Sequence, residues 1–250
     1  MDAETAAWIV ASGAATGVGG LPILALRRPS DRLLDCLLGF TAGVMLAATA
    51  FSLLVPALDR GDIWEVVTGL ALGAALMTAL DALVPHAHAR FSEHGGLPAE
   101  RRAGRERASL LLSALTIHNI PEGMAVGVAF AAGGADLGVP LALAIGIQNV
   151  PEGFAAAVPL VGAGSSRRAA AGVAALTGIV EPPAAAIAFF AFEAIEPLLA
   201  GGLAFAAGAM LYVVVDELIP ESQSRGNERE ATLALIAGFA LMLTLDNAFG

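Results

Sequence analysis

About 20 consecutive apolar residues are enough for a helix to cross the hydrocarbon core of a bilayer. Stretches of that kind recur along the whole of this 250-residue chain. Eight are read, over about 7–26, 33–57, 64–84, 109–130, 139–161, 170–192, 197–219 and 231–249. Between them no polar stretch is long enough for a soluble domain, and the longest, 85–108, is expected as a cytoplasmic loop. With 57% hydrophobic residues, 14% charged residues and a mean hydropathy of +0.75, the fold class is all-α integral membrane. Residues 1–250 are expected to form one polytopic domain of eight transmembrane helices. A cleavable leader is not expected, because Met1-Asp2-Ala3-Glu4 lacks a basic segment.

Arginine sets the orientation, since the chain has no lysine. Arg27, Arg28 and Arg32 lie between the first and second spans, and Arg90, Arg101, Arg102, Arg105 and Arg107 between the third and fourth. Arg167 and Arg168 follow the fifth, Arg225 and Arg229 the seventh, and only Arg60 falls in a loop of opposite parity. The positive-inside rule then puts the arginine-bearing loops in the cytoplasm and both termini outside. An extra or missing span would scramble this parity, so the distribution supports the count of eight. A net charge of −10 excludes a nucleic-acid partner as the expectation, and the lipid bilayer is the expected surroundings. Cys36 is alone, so neither a disulfide framework nor a thiolate metal site can form within one chain.

Two repeats run through the apolar stretches. Ile117-His118-Asn119-Ile120-Pro121-Glu122-Gly123 returns thirty residues later as Ile147-Gln148-Asn149-Val150-Pro151-Glu152-Gly153. At an offset of 165, Phe40, Gly43, Met45 and Leu46 match Phe205, Gly208, Met210 and Leu211, while Leu76, Met77, Leu80 and Asp81 match Leu241, Met242, Leu245 and Asp246. The first and sixth spans align more weakly, through Thr16/Thr177, Gly17/Gly178 and Pro22/Pro183. With the orientation above, matched spans run in opposite directions. The chain therefore reads as three helices, an inverted central pair and three helices, a 3+2+3 arrangement with inverted repeats. Secondary transporters are built this way, with their sites near the membrane midplane.

The paired motifs place ionisable groups where the bilayer makes them expensive, which marks a pathway or an ion site. Successive helical residues are about 100° apart, so Glu122 projects between His118 and Asn119 one turn along, and Glu152 between Gln148 and Asn149. Packed together, the two helices offer one cluster of His118, Glu122, Gln148 and Glu152, and a neighbouring one of Asn119, Glu122, Asn149 and Glu152. Pro121 and Pro151 cannot donate to the carbonyls of Ile117 and Ile147, which loosens each helix just before its carboxylate. Imidazole, carboxylate and amide oxygen suit Zn²⁺, Fe²⁺, Mn²⁺, Co²⁺ or Cd²⁺. Glu181, in Val180-Glu181-Pro182-Pro183, is a third glutamate before proline within a span, and is expected as a ligand or a neighbour of one. Met45 alone reads as core packing rather than a soft ligand.

At these residues the sequence resembles the ZIP (Zrt/Irt-like protein) family of divalent-metal transporters, in its bacterial branch. The resemblance extends over nearly the whole chain, through Ala42-Gly43-Val44-Met45-Leu46, both Pro-Glu-Gly motifs, Glu181-Pro182, and Ala207-Gly208-Ala209-Met210-Leu211 to Glu217-Leu218-Ile219-Pro220-Glu221. It implies an eight-helix fold with a binuclear site. One position would use His118, Glu122, Gln148 and Glu152 with Met45 nearby, and the other Asn119, Glu122, Asn149, Glu152 and Glu181. It further implies metal uptake toward the cytosol across the bacterial inner membrane, a homodimer, and elevator-type sliding of one helix bundle against another. The metal, zinc foremost, would be cargo rather than a prosthetic group, and no other cofactor is implied. Where many relatives carry His-Asn, this chain has Gln148-Asn149, so a weaker second position is expected. Asp81, Asp216 and Glu217 sit at inner ends of spans and can form an exit route. His86 and His88 either receive the leaving ion there or are a solvated pair.

Two other functions use the same residues. An intramembrane metal-dependent hydrolase could take Glu122 as its base, but the chain has no His-Glu-x-x-His motif and one histidine within a span. A cation channel would need only single ionisable residues, whereas the doubled, chelating arrangement suits stoichiometric capture.

Overall fold

The computed structural model describes residues 1–25, 29–91, 99–193 and 198–249, without the side chains of 83–91, 99–112, 114, 115 and 249. Among the described residues only helices and short turns occur, and seven helices are long and apolar enough to cross a membrane. They are α1 (Ala3–Gly20, continued by a tighter turn at Leu21–Leu24), α2 (Asp31–Arg60), α3 (Ile63–Phe91), α4 (Ala99–Gly162), α5 (Arg167–Glu193), α6 (Leu199–Ser222) and α7 (Glu228–Phe249). Polar residues set the starts. Asp2, Ser30 and Ser166 accept from the backbone N–H of Thr5, Leu33 and Ala169, which satisfies donors that the first helical turn leaves unpaired.

Helix α4 is 64 residues long, and unbroken it would extend about 95 Å, some three times the hydrocarbon thickness. Gly134 interrupts it, with φ 58° and ψ −139°, a conformation that favours glycine. The two arms fold back on each other there. Gln148 Nε2 donates to Glu122 Oε1 at 2.5 Å, although 26 residues of straight helix would separate these positions by about 39 Å. The arms correspond to the fourth and fifth expected spans. Helical geometry also outlasts the apolar runs, since α3 continues to Phe91 and α4 begins at Ala99. Most of the stretch expected as a loop, 85–108, is thus helical, because residues such as Ala99, Glu100, Arg101, Arg102 and Ala103 are good helix formers whether or not they are apolar.

The helices sort into two bundles. In one, both arms of α4 pack with α1 and α5; in the other, α2 packs with α7 and α3 with α6. Glycine makes the contacts within each bundle close. A Cβ at Gly123 would collide with the backbone of Glu181, at Gly127 with Ala185, and at Gly153 with Thr16. In the second bundle a Cβ at Gly43 would strike Leu235, at Gly73 Phe205, and at Gly208 Leu70. Backbones this close are the usual way membrane helices gain packing energy without a hydrophobic drive.

The outer repeat is visible in local structure as well. Helix α2 widens into π-helical turns over Ala48–Leu54 and α6 over Val214–Leu218. Each widening precedes a proline, Pro56 or Pro220, whose missing N–H and bulky ring disrupt the bond to the carbonyl four residues earlier. For the first and sixth spans the packing gives another register than the sequence matches. Gly123 and Gly153, equivalent in the motif repeat, press on the backbones of Glu181 and Thr16. That pairs Thr16 with Glu181 at an offset of 165, like the outer repeat, and one helical turn away from the Thr16/Thr177 alignment.

Candidate metal centre

Both motifs lie on α4, one on each arm, and the fold-back at Gly134 brings them side by side. His118, Asn119, Glu122, Gln148, Asn149, Glu152 and Glu181 are all buried, each at most 2% exposed. Leaving ionisable and amide groups in a dry interior costs several kcal/mol unless each finds a partner, so the partners are informative.

Glu181 is well supplied. Asn149 Nδ2 lies 2.9 Å from both its carboxylate oxygens and also donates to the Ser12 carbonyl at 2.9 Å, while Thr16 Oγ1 donates to Oε1 at 3.2 Å. Glu122 accepts from Gln148 through one oxygen only. The remaining atoms have no hydrogen-bond partner: Glu122 Oε2, Gln148 Oε1, Glu152 Oε1, both Asn119 side-chain atoms and both His118 ring nitrogens. His118 Nε2 does approach Glu217 Oε1 to 2.5 Å, but without the direction a hydrogen bond needs. That contact joins the bundles, His118 coming from α4 and Glu217 from α6.

Of the two expected clusters, the structure thus brings Glu122 against Gln148, and Asn149 against Glu181. Glu152 lies within electrostatic reach of Glu122, Glu181 and Glu217. His118 approaches Glu217, and the Asn119 side chain makes no hydrogen bond. Among the described residues no three His, Cys, Asp or Glu side chains form a closed metal-holding group. Met45 is buried in the apolar core, its carbonyl accepting from Thr49 Oγ1 at 2.8 Å.

A cavity of about 400 Å³ opens beside His118 and is lined by Asp216, Glu217, Glu221, Pro159 and Arg225 among others. It leads from the motifs to the turn between α6 and α7, on the arginine-bearing side of the molecule. Asp216 and Glu217 therefore both line this cavity. Asp81 is exposed on α3 and shares with Asp216 the electrostatic surroundings of Tyr212. The side chains of His86 and His88 lie outside the described residues.

Sequence reasoning missed Thr16, Thr41, Asp35, Glu221 and Arg225. Thr41 donates to the Gln148 carbonyl at 3.4 Å, across the bundles. Its signal was present, since it stands one turn before Met45 on the same face of α2. Thr16 would have been found had the first and sixth spans been aligned at 165.

Comparison with known proteins identifies the family. The profile of the family described as ZIP Zinc transporter matches residues 92–246. The zinc transporter GufA of Myxococcus xanthus is 42% identical over 96% of this chain and 96% of its own length. The zinc transporter ZIPB of Bordetella bronchiseptica is 43% identical over 95% of the chain and 78% of its own. For the zinc transporter ZupT of Corynebacterium glutamicum the identity is 40%, over 92% and 93%. With matches of this depth across nearly the whole sequence, the chain belongs to the ZIP zinc transporter family.

Proposed function

We propose that this multi-pass membrane protein carries divalent transition-metal cations, Zn²⁺ foremost and Fe²⁺, Mn²⁺, Co²⁺ and Cd²⁺ besides, across the bacterial inner membrane toward the cytoplasm. One observation carries the reading: the buried oxygens of Glu122, Gln148, Glu152 and Asn119 that accept no hydrogen bond, gathered beside His118 on the two arms of α4. Acceptors so placed are stabilised by a cation and by little else in a bilayer. Membership of a transporter family sets aside the hydrolase reading, and makes the metal cargo.

In this proposal residues 1–250 form one polytopic unit in which each arm of α4 crosses once, giving eight crossings with both termini outside. Two adjacent positions share Glu122 and Glu152. One adds His118 and Gln148 with Met45 nearby; the other adds Asn119, Asn149 and Glu181. The ion leaves past Glu217 and Asp216, with Asp81, His86 and His88 further along. The bundles slide past each other as rigid bodies, in a homodimer as the family resemblance implies. The cavity beside His118 supports an outlet on the arginine-bearing side.

Uptake of radioactive zinc into proteoliposomes tests this directly. Saturable uptake is expected. Flux that rises linearly with zinc concentration would instead mark a channel, and no flux at all would end the transport reading.

A further inference from the structure

Glu217, Glu221 and Arg225 follow one another at intervals of four along the inner end of α6 and the turn after it, and all three line the cavity that begins at His118. His118, 2% exposed with no hydrogen-bond partner on either ring nitrogen, faces the same space. The carboxylates form steps one turn apart, and the last step is already taken by a cation. Arg225 Nη2 contacts Glu221 Oε1, while Nη1 reaches the Glu221 carbonyl at 3.0 Å and Asp35 Oδ1 at 2.9 Å.

Asp35 makes this arginine a fixture. Its carboxylate is fully buried on α2, and its other oxygen accepts from Asn227 Nδ2 at 2.8 Å. Burial works against the guanidinium charge, but Asp35 and Glu221 outweigh it and hold Arg225 above its usual range. The Asp35 tether does not depend on Glu221, whose side chain is 41% exposed. Glu221 is thus the partner free to exchange, and Arg225 stays at the mouth when it does.

We infer that Arg225 is a tethered counter-cation at the mouth of the cavity, which competes with the departing divalent ion for Glu221 and keeps that carboxylate from retaining it. An ion stepping from Glu217 meets a carboxylate already neutralised, beside a fixed positive charge that repels it. Its stay there is short, and a cytoplasmic ion gains little by entering. Lysine at 225 would keep the charge, whereas glutamine removes it and is too short to reach Asp35 as Nη1 does. The inference rests on the transport reading above and assigns a release-setting residue to it.

Equilibrium zinc binding and zinc uptake, measured on the same purified protein, test it. In Arg225→Gln one additional zinc should bind per chain, with affinity at Glu221 raised about tenfold, the scale of a partly exposed charge pair with one divalent member. Turnover at saturating zinc should fall. Arg225→Lys should match the unaltered protein, and Arg225→Gln/Glu221→Gln should lose the extra zinc and recover turnover. If Arg225→Gln folds poorly because Asp35 loses its partner, Arg225→Gln/Asp35→Asn removes both buried charges and carries the same expectation. Unchanged stoichiometry and turnover in the glutamine variants, or an extra zinc that persists without Glu221, would overturn the inference. In a Glu122→Ala/Glu152→Ala background the extra zinc is read without the motif site. The transport reading fails on a different result, the absence of saturable uptake by the unaltered protein.

Discussion

The two bundles are held together internally in one way and against each other in another. Within each, glycines let helix backbones touch, as at Gly123 on Glu181, Gly153 on Thr16, Gly43 on Leu235 and Gly208 on Leu70. Between them, no described glycine meets a backbone of the opposite bundle, and the nearest case is the Phe192 ring over Gly202. The seam is bridged by side chains instead, through Thr41 to the Gln148 carbonyl and His118 to Glu217. Interlocked backbones resist relative displacement, because close-packed contacts are bistable rather than deformable. A side-chain seam can break a few bonds and remake them elsewhere. The contrast supports the proposal that the bundles slide as rigid bodies, with the paired motifs on one and Asp216, Glu217 and Glu221 on the other.

The largest expected effect comes from the motif carboxylates of the first bundle. Glu122→Ala or Glu152→Ala should reduce zinc uptake to background while the protein still reaches the membrane in normal amounts. Near-normal uptake in either would remove both carboxylates from the site. Next is the interlock. Gly123→Val must push its bulk into the backbone of Glu181, so the helices separate and stability should fall by about 1–3 kcal/mol. Thermal unfolding in detergent measures this. A Tm unmoved by this change would mean that glycine contacts do not distinguish the bundles.

The sequence made much of this legible for identifiable reasons. Apolar runs reported the spans because lipid leaves helices little alternative, and the spacing in His118-Asn119-Ile120-Pro121-Glu122 reported a shared buried face because four residues is about one turn. The pairing of Thr16 with Glu181 was hidden because small residues on α1 match α5 almost as well one turn away. The approach of His118 to Glu217, and of Arg225 to Asp35, depends on which helix of the other repeat lies opposite. Hydrophobic periodicity carries no such information.

Residues of the second bundle, and the amide beside the carboxylates, should matter less than the motif carboxylates. Glu217→Gln removes the charge facing His118 and should lower uptake about tenfold, the low end for a partner that orients a metal ligand. Background uptake would instead make Glu217 as essential as Glu122 and erase the division of roles. Asn149→Ala should lower apparent affinity and leave measurable uptake, since Glu181 still holds Thr16. If Asn149→Ala is as inactive as Glu152→Ala, the two metal positions are not separable.

Thr41→Val is the smallest and most discriminating change. The two side chains are nearly the same shape, and Thr41 is fully buried, so packing is kept and one hydrogen bond is lost. A neutral bond of this kind contributes about 1 kcal/mol net. If the bundles slide, the bond exists in this arrangement and is broken in another, so its loss should shift the ratio of arrangements by about fivefold away from this one. Spin labels on α2 and on the second arm of α4 would read that shift as a redistribution of distances. Thr16→Val deletes a comparable hydroxyl inside the first bundle, where its bond to Glu181 travels with the body that holds it. It should leave the distance distribution unchanged while disturbing the Asn149–Glu181 position. Equal shifts from both substitutions would place the motion inside the bundle. No shift from Thr41→Val would mean that the Thr41–Gln148 contact persists through transport, and the sliding surface would have to lie elsewhere.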